Sequence, residues 1–169
     1  YIARKLIKEY QDRIQIKNLK LEYVYGQGDD ESKFIPFAVK KLKNNENLDM
    51  SLGEQEIDFV YIDDCINAMT KILEDDCGEK YQEFQIGSGN ITKLKNVILN
   101  LKKKLKSTSK IDFSAVPYRK HEQMFSQADI STIIGWKPKY SDFNYKSLLK
   151  NEVSLKENPP SNTHTISWW

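Results

Sequence analysis

The sequence has 169 residues, of which 39% are hydrophobic and 30% are charged, so it can build a domain with a buried core. Its 26 basic and 24 acidic residues give a net charge of +2, which gives no reason to expect nucleic acid or membrane as a partner. The apolar runs fall far short of the roughly 20 residues that cross a bilayer. We therefore expect a cytoplasmic protein that binds neither nucleic acid nor membrane.

Cysteine and histidine are too few and too scattered to suggest a metal site. Cys65 and Cys77 have no C-x-x-C spacing, and His121 and His164 are not at ligand spacing. The pattern predicts thiols kept in a reducing compartment and no bound metal.

The chain opens with a predicted helix from Tyr1 to about Asp12. Tyr1 and Lys5 are four residues apart and lie on one helix face, with Glu9 one turn further. A nearby cation favours the phenolate and lowers the pKa of a tyrosine from its usual value of about 10. The pair is therefore a possible proton-transfer device, although two surface side chains would show the same spacing.

A strand and a glycine-containing loop follow this helix. Apolar residues between 14 and 24 indicate an extended segment, and residues 25–30 have turn composition with two glycines. Helix, strand and glycine loop in this order are typical of an α/β layer, in which ligands bind at the carboxyl ends of the strands.

Several segments in a fixed order resemble the extended short-chain dehydrogenase/reductase family. This is the branch of NAD-dependent nucleotide-sugar epimerases, dehydratases and 4-keto-sugar reductases. The segments that carry the resemblance are Tyr1-x-x-x-Lys5-x-x-x-Glu9, Val24-Tyr25-Gly26-Gln27-Gly28-Asp29, Lys33 to Phe37, Gly53 to Asp64, Phe84 to Gly89, Pro117 to Arg119, Ala128 to Ser131 and Gly135 to Pro138.

The resemblance implies an α/β fold: the back half of a Rossmann-type parallel sheet plus a small mixed α/β substrate-binding domain. Residues 1–30 would complete the NAD-binding domain. Residues 31–150 would form the nucleotide-sugar region, with helix 65–73 and strand 81–86 returning to the Rossmann core. Residues 151–169 are expected to be an irregular tail.

Hydrophobic periodicity and turn residues predict the remaining elements. They are a helix at 32–43 capped by Ser32, a polar turn at 44–53, a strand at 56–62 covered on both faces, a helix from Thr92 to about 106, a strand at 111–116 and a short helix at 129–134.

The resemblance also implies roles for the residues of the first 30 positions. Tyr1 would be the acid/base that moves a proton to or from a sugar hydroxyl. Lys5 would bind the nicotinamide ribose and lower the pKa of Tyr1. Tyr25, Gly26 and Gln27 would lie near the nicotinamide, although the family often has proline where this chain has Gln27.

Substrate contacts are expected from residues further along the chain. Arg119 stands where the family has an arginine for the diphosphate, and the alternative is an exposed ion pair with Glu122. Phe34 and Ile35 would shape the nucleotide pocket, and the alternative for both is ordinary core. The family's other phosphate arginine falls on Ile57, which cannot bind phosphate.

The sequence contains no Gly-x-Gly-x-x-Gly turn of the kind that delivers a dinucleotide pyrophosphate to a helix N-terminus. We therefore expect a C-terminal portion of an NAD- or NADP-dependent enzyme, which alone would bind NAD weakly or not at all. The intact parent is expected to act on a nucleotide-diphosphate sugar in surface polysaccharide biosynthesis, as a homodimer. The alternative is a non-catalytic fragment, at most a nucleotide-sugar binding module. The sequence does not choose between epimerase, dehydratase and reductase.

Overall fold

The computed structural model describes residues 2–75 and 78–149. Tyr1, Cys77 and the predicted tail at 151–169 lie outside this part. The helices are α1 (Ile2–Lys8), α2 (Phe34–Lys43), α3 (Ile62–Glu74), α4 (Leu94–Leu105) and α5 (Tyr145–Leu149), with a 3-10 turn at Ile130–Thr132. The strands are β1 (Ile16–Leu21), β2 (Tyr23–Tyr25), β3 (Leu48–Asp49), β4 (Glu56–Tyr61), β5 (Tyr81–Ile86), β6 (Ile91–Lys93), β7 (Ile111–Asp112) and β8 (Phe125–Ser126).

Parallel pairing between strands that are distant in sequence defines the architecture. β1 pairs with β5, β2 with β4, and β3 with β7, all parallel. β4 also pairs with antiparallel β6 and with parallel β8. Parallel neighbours need crossover connections, which here contain helices, so the predicted α/β class is confirmed.

Strand β4 lies between two hydrophobic clusters. Its Phe59 side packs with β2, α2, α4 and α5, while Val60 packs with α3, β5 and Trp136. Both side chains are at most 3% exposed, as the prediction of a strand covered on both faces requires. The apolar stripe predicted for the long helix is also confirmed, because Leu94, Val97, Ile98 and Leu101 of α4 are buried.

The helix at 65–73 was predicted to bury Ile66, Met69, Ile72 and Leu73, and this face is only half right, because Ile72 and Met69 pack in the second hydrophobic cluster. Ile66 and Leu73 are 55% and 76% exposed, whereas Cys65 and Ala68 are buried together with Ile72. The helix begins at Ile62, directly after β4, and Asp64 in its first turn is buried. The Asp64 carboxylate accepts hydrogen bonds from the backbone N–H groups of Lys139 and Tyr140, both at 2.9 Å, and this fixes which face turns inward.

Several predicted boundaries also differ from the structure. Helix α1 ends at Lys8, and its predicted apolar stripe is exposed at Leu6, Ile7 and Tyr10. The extended segment is split at Glu22 into β1 and β2. Helix α2 has Lys33 at its N-cap, so Ser32 is not the cap.

In the second half, Thr92 lies in β6 rather than at a helix cap, and the predicted strand at 111–116 is only two residues long. The predicted helix at 129–134 is a 3-10 turn that Asp129 caps through the backbone N–H of Ser131. Strands β3, β6 and β8 and helix α5 were not predicted, because elements of two to five residues show no measurable periodicity. No helix within residues 2–75 and 78–149 is long and apolar enough to cross a membrane.

Asp58 of β4 is a fully buried carboxylate that joins three parts of the chain. It accepts hydrogen bonds from the backbone N–H and hydroxyl of Ser88, both at 2.6 Å, and from the backbone N–H groups of Gly89 at 3.0 Å and Ala128 at 3.1 Å. A Cβ atom at Gly87 would lie 2.4 Å from Asp58 Oδ2, so glycine is required for this close approach. Hydrogen bonds from four donors are what permit a buried charge here.

We expect Asp58→Asn to lower the free energy of unfolding by about 2–4 kcal/mol, because an amide nitrogen would face N–H donors in place of an oxygen. The measurement is equilibrium denaturation in urea. Asp63→Asn, at an exposed position in the first turn of α3, is the matched control and should cost less than about 1 kcal/mol. Equal effects of the two substitutions would contradict the role given to Asp58.

Candidate functional site

A cavity of about 990 Å³ opens between the β1–β2 junction, the start of α2, the residues after β3 and the first half of α3. The segment from Val116 to Glu122 forms its remaining wall. A cavity of this size is at the upper end of the range typical of small-molecule sites.

Two of the predicted substrate residues lie together in this cavity. Phe34, from the first turn of α2, and Arg119, from the segment after β7, both line it. Ile57 of β4 lines it as well, so the position where the family has its second arginine does face the cavity. The backbone N–H of Arg119 donates a hydrogen bond to the Glu122 carboxylate at 3.3 Å, which holds this segment in place.

Two other predicted site residues are core residues. Ile35 is 0% exposed and packs in the first hydrophobic cluster, as the alternative interpretation expected. Tyr25 is 1% exposed; its ring stacks on Phe143 at 4.1 Å, and its hydroxyl accepts a hydrogen bond from the backbone N–H of Asn144. Burial raises the pKa of the Tyr25 phenol. For Ile35 the core alternative holds, while the position of Tyr25 near a nicotinamide stays a prediction.

The glycine loop after β2 lies apart from the main cavity. Gly26 and Gln27 line a second cavity of about 430 Å³, and the Gln27 amide donates to the Ser147 carbonyl at 2.9 Å. A Cβ atom at Gly26 would lie 2.4 Å from Ile62 Cγ2. Glycine is therefore needed here so that the loop after β2 can pack against the start of α3.

Lys5 lies on α1, a helix whose side chains contact strand β5. Arg4 is 3.9 Å from Glu83, and the Lys8 ammonium lies 4.8 Å from the ring centre of Tyr81. These contacts fix α1 beside the β1–β5 sheet and leave Lys5 exposed. Since Tyr1 lies outside the described residues, the Tyr1–Lys5 pair stays a prediction.

The structure adds a residue that the sequence analysis missed. Glu22, at the break between β1 and β2, lines the main cavity and accepts a hydrogen bond from the Ser126 hydroxyl. Burial raises its pKa above the usual value, the charge of Asp58 raises it further, and Lys20 opposes both. One sign of this residue was present in the sequence, because Glu22 is the single carboxylate in the extended segment between residues 14 and 24.

The chain belongs to the NAD dependent epimerase/dehydratase family, whose model matches residues 1–87. Among curated proteins, it is 37% identical over 158 residues to the CDP-abequose synthase of Salmonella muenchen, covering 92% of this chain and 53% of that protein. It is also 37% identical over 139 residues to the CDP-abequose synthase of Salmonella typhimurium, covering 79% of this chain and 46% of that protein. The chain thus spans about half the length of these relatives.

Solved structures show the same fold. The UDP-glucuronic acid 4-epimerase of Bacillus cereus, in complex with UDP-glucuronic acid and NAD, has a TM-score of 0.75 at 24% identity, covering 86% of this chain and 48% of that one. The dTDP-glucose 4,6-dehydratase DesIV of Streptomyces venezuelae has a TM-score of 0.71 at 18% identity, covering 82% and 44%. The expected family, fold class and NAD-dependent chemistry of that family are thereby confirmed.

Lys5, the residue expected to hold the nicotinamide ribose, lies on an exposed helix face, and this contact stays a prediction. The sequence has no glycine-rich turn for the pyrophosphate, and in the β2 loop Gly26 is needed for packing against Ile62, whereas Gly28 has a positive φ of 73° and no neighbour within 4 Å. We therefore assign no pyrophosphate contact to these residues.

Because the folded-state pKa of Glu22 is raised, the folded protein holds this proton more tightly than the unfolded chain does. The contribution of the protonated Glu22 side chain to the free energy of unfolding is fully present below the unfolded pKa. It is lost as pH rises from about 4.5 through the folded pKa. We expect Glu22→Gln to stabilise the protein more at pH 7 than at pH 4, relative to wild type. The measurement is urea denaturation at both pH values.

The matched control is Glu74→Gln, which removes an exposed carboxylate at the end of α3 and away from the main cavity. If Glu22→Gln shows the same stability difference at both pH values, the raised pKa of Glu22 is wrong.

Proposed function

We propose that the protein containing this chain is an NAD- or NADP-dependent enzyme that oxidises or reduces a nucleotide-diphosphate sugar. The observation that carries the proposal is the main cavity, which brings Phe34 and Arg119 together in a chain of the epimerase/dehydratase family. Phe34 offers an aromatic surface for a base, and Arg119 offers a planar pair of donors for a phosphate. The names of the curated relatives favour a cytidine diphosphate sugar as the substrate class.

The proposed chemistry assigns a proton transfer to the first helix. The Tyr1 phenol oxygen would take a proton from, or return it to, a sugar hydroxyl, and the Lys5 ammonium would favour the phenolate. The nicotinamide, when bound, supplies the hydride acceptor or donor. We further propose that the enzyme is cytoplasmic, acts in surface polysaccharide biosynthesis and forms a homodimer.

A second candidate is a nucleotide-sugar binding module without redox chemistry. Ile57 favours it, because an apolar side chain occupies the cavity wall where the family has a phosphate-binding arginine. The absence of a glycine-rich turn from this sequence also favours it. The two candidates differ in whether the intact wild-type protein transfers hydride at all, and the first assigns the accompanying proton transfer to Tyr1.

We expect Tyr1→Phe to lower kcat by roughly 10²- to 10⁴-fold while NAD binding is retained, because the substitution removes only the proton-carrying oxygen. The assay is hydride transfer followed by nicotinamide absorbance in the intact protein, with NAD affinity measured separately. Tyr10→Phe, an exposed tyrosine after the same helix, is the control. Unchanged turnover in Tyr1→Phe would rule out the proton-transfer role of Tyr1, and a lack of turnover in the wild-type protein would leave only the binding-module candidate.

Arg119→Ala should weaken the binding of a nucleoside diphosphate by roughly tenfold or more, because a charge-assisted contact to the diphosphate is lost. Binding of the parent nucleoside, which has no phosphate, should change little. Calorimetric titration of the intact protein measures both. Lys120→Ala, the exposed neighbouring cation, is the matched control. Equal losses in the two variants would indicate general surface charge and would contradict a specific arginine contact.

A further inference from the structure

Glu22 places a carboxylate in the wall of the main cavity, at one end of the β1–β5 sheet. Strand β1 ends at Leu21, and the backbone N–H of Glu22 donates to the carbonyl of Ile86, the last residue of β5, at 2.9 Å. Glu22 therefore lies at the carboxyl end of two parallel strands, the edge at which α/β proteins bind their ligands. It is half-buried there and lines the main cavity.

Ser126 holds one oxygen of this carboxylate on the cavity side. The Ser126 hydroxyl donates a hydrogen bond to Glu22 Oε2. Ser126 of β8 is paired directly with Ile57 of β4, and directly paired residues of neighbouring strands point to the same face of a sheet. Since Ile57 lines the cavity, the Glu22 carboxylate is held on the face that bounds the cavity.

The second oxygen of Glu22, Oε1, is available to a ligand. Among the described residues it accepts no hydrogen bond, and it is not one of the buried side-chain atoms that lack a partner. The other carboxylates of the cavity wall differ. Glu122 uses its two oxygens for the Gln55 amide and for the backbone N–H of Arg119, both at 3.3 Å, and Asp49 is exposed to solvent. Glu22 is thus the carboxylate of this wall that is held in place and still has a free acceptor.

Helix α1 begins at the same edge of the sheet. The Lys8 ammonium contacts Tyr81 at the start of β5, whereas Arg4, one turn earlier in the helix, is near Glu83, two residues later in the strand. Helix and strand therefore run in opposite directions, and the N-terminal end of α1 is directed toward the end of the sheet where Glu22 lies. The proton transfer proposed for this helix would take place at that edge.

We propose that Glu22 accepts, through Oε1, a hydrogen bond from a hydroxyl of the sugar, so that the sugar lies at the β1–β2 junction and the diphosphate at Arg119. A carboxylate accepts hydrogen bonds from hydroxyl groups and repels a diphosphate, which carries the same sign of charge. Arg119 belongs to a different wall, the segment from Val116 to Glu122. This inference rests on the proposed nucleotide-sugar function and assigns the orientation of its substrate; Ser126 is a positioning residue.

The test is calorimetric titration of the intact protein with CDP-glucose, which carries the sugar hydroxyls, and with CDP, which lacks that sugar. Glu22→Leu should weaken CDP-glucose binding by roughly tenfold or more, the loss expected for a hydrogen bond to a charged group, and should leave CDP binding nearly unchanged. Glu79→Leu removes an exposed carboxylate next to the start of β5, at the opposite end of the same sheet. It is the matched control and should leave both affinities unchanged.

Ser126→Ala gives an independent measurement, because Glu22 keeps its carboxylate but loses the group that orients it. The preference for CDP-glucose over CDP should fall by roughly two- to tenfold, whereas Ser126→Thr, which keeps the hydroxyl, should retain the wild-type preference. If Glu22→Leu weakens both ligands equally or weakens neither, the sugar contact is overturned and the proposed function stands. If neither ligand binds to folded wild type, the proposed function and this inference both fail.

Discussion

The carboxylate of Asp58 is the contact on which the position of the C-terminal third of the chain depends. A buried carboxylate is tolerated only when donors surround it, and here the donors come from the turn after β5 and from Ala128. Asp64 acts in the same way on Lys139 and Tyr140. Two acids on the continuous β4–α3 unit thus fix segments that follow 30 to 76 residues later in the sequence.

This arrangement also forms the candidate site. With the later segments fixed against β4, the stretch from Val116 to Glu122 covers the face that bears Gln55 and Ile57, and Arg119 and Glu122 become part of the cavity wall. The charges of the wall are mixed. Its cations are Arg119 and Lys33, and its carboxylates are Glu22, Asp49 and Glu122. The Lys33 ammonium already forms an ion pair with Asp29 at 2.7 Å. A diphosphate in this cavity would therefore depend mainly on Arg119, because Ile57 supplies no charge.

The sequence was sufficient for the elements whose pattern is long and regular. The stripe of α4 spans three turns, and β4 has apolar residues on both sides, so both were predicted correctly. Two- and three-residue strands such as β3 and β8 were missed, because their pairing is decided by distant partners rather than by local preference. The face of α3 was only half right for a related reason: Asp64 is buried because the N–H groups of Lys139 and Tyr140 bind it, and this contact cannot be read from the sequence of the helix.

For the site, the sequence identified residue types that suit a nucleotide sugar, and Phe34 and Arg119 do lie in one cavity. The sequence could not distinguish residues that line the cavity from residues of the core. Tyr25 and Ile35 are residue types that often line pockets, but here aromatic and aliphatic neighbours bury them. Glu22 was not singled out because its importance comes from a contact with Ser126, which lies 104 residues away. The sequence by itself determined the family, the α/β class and the regular elements, because these depend on local periodicity and ordered motifs. Only the tertiary structure decided which polar groups are buried together, because burial and hydrogen-bond partners depend on contacts between segments far apart in the chain.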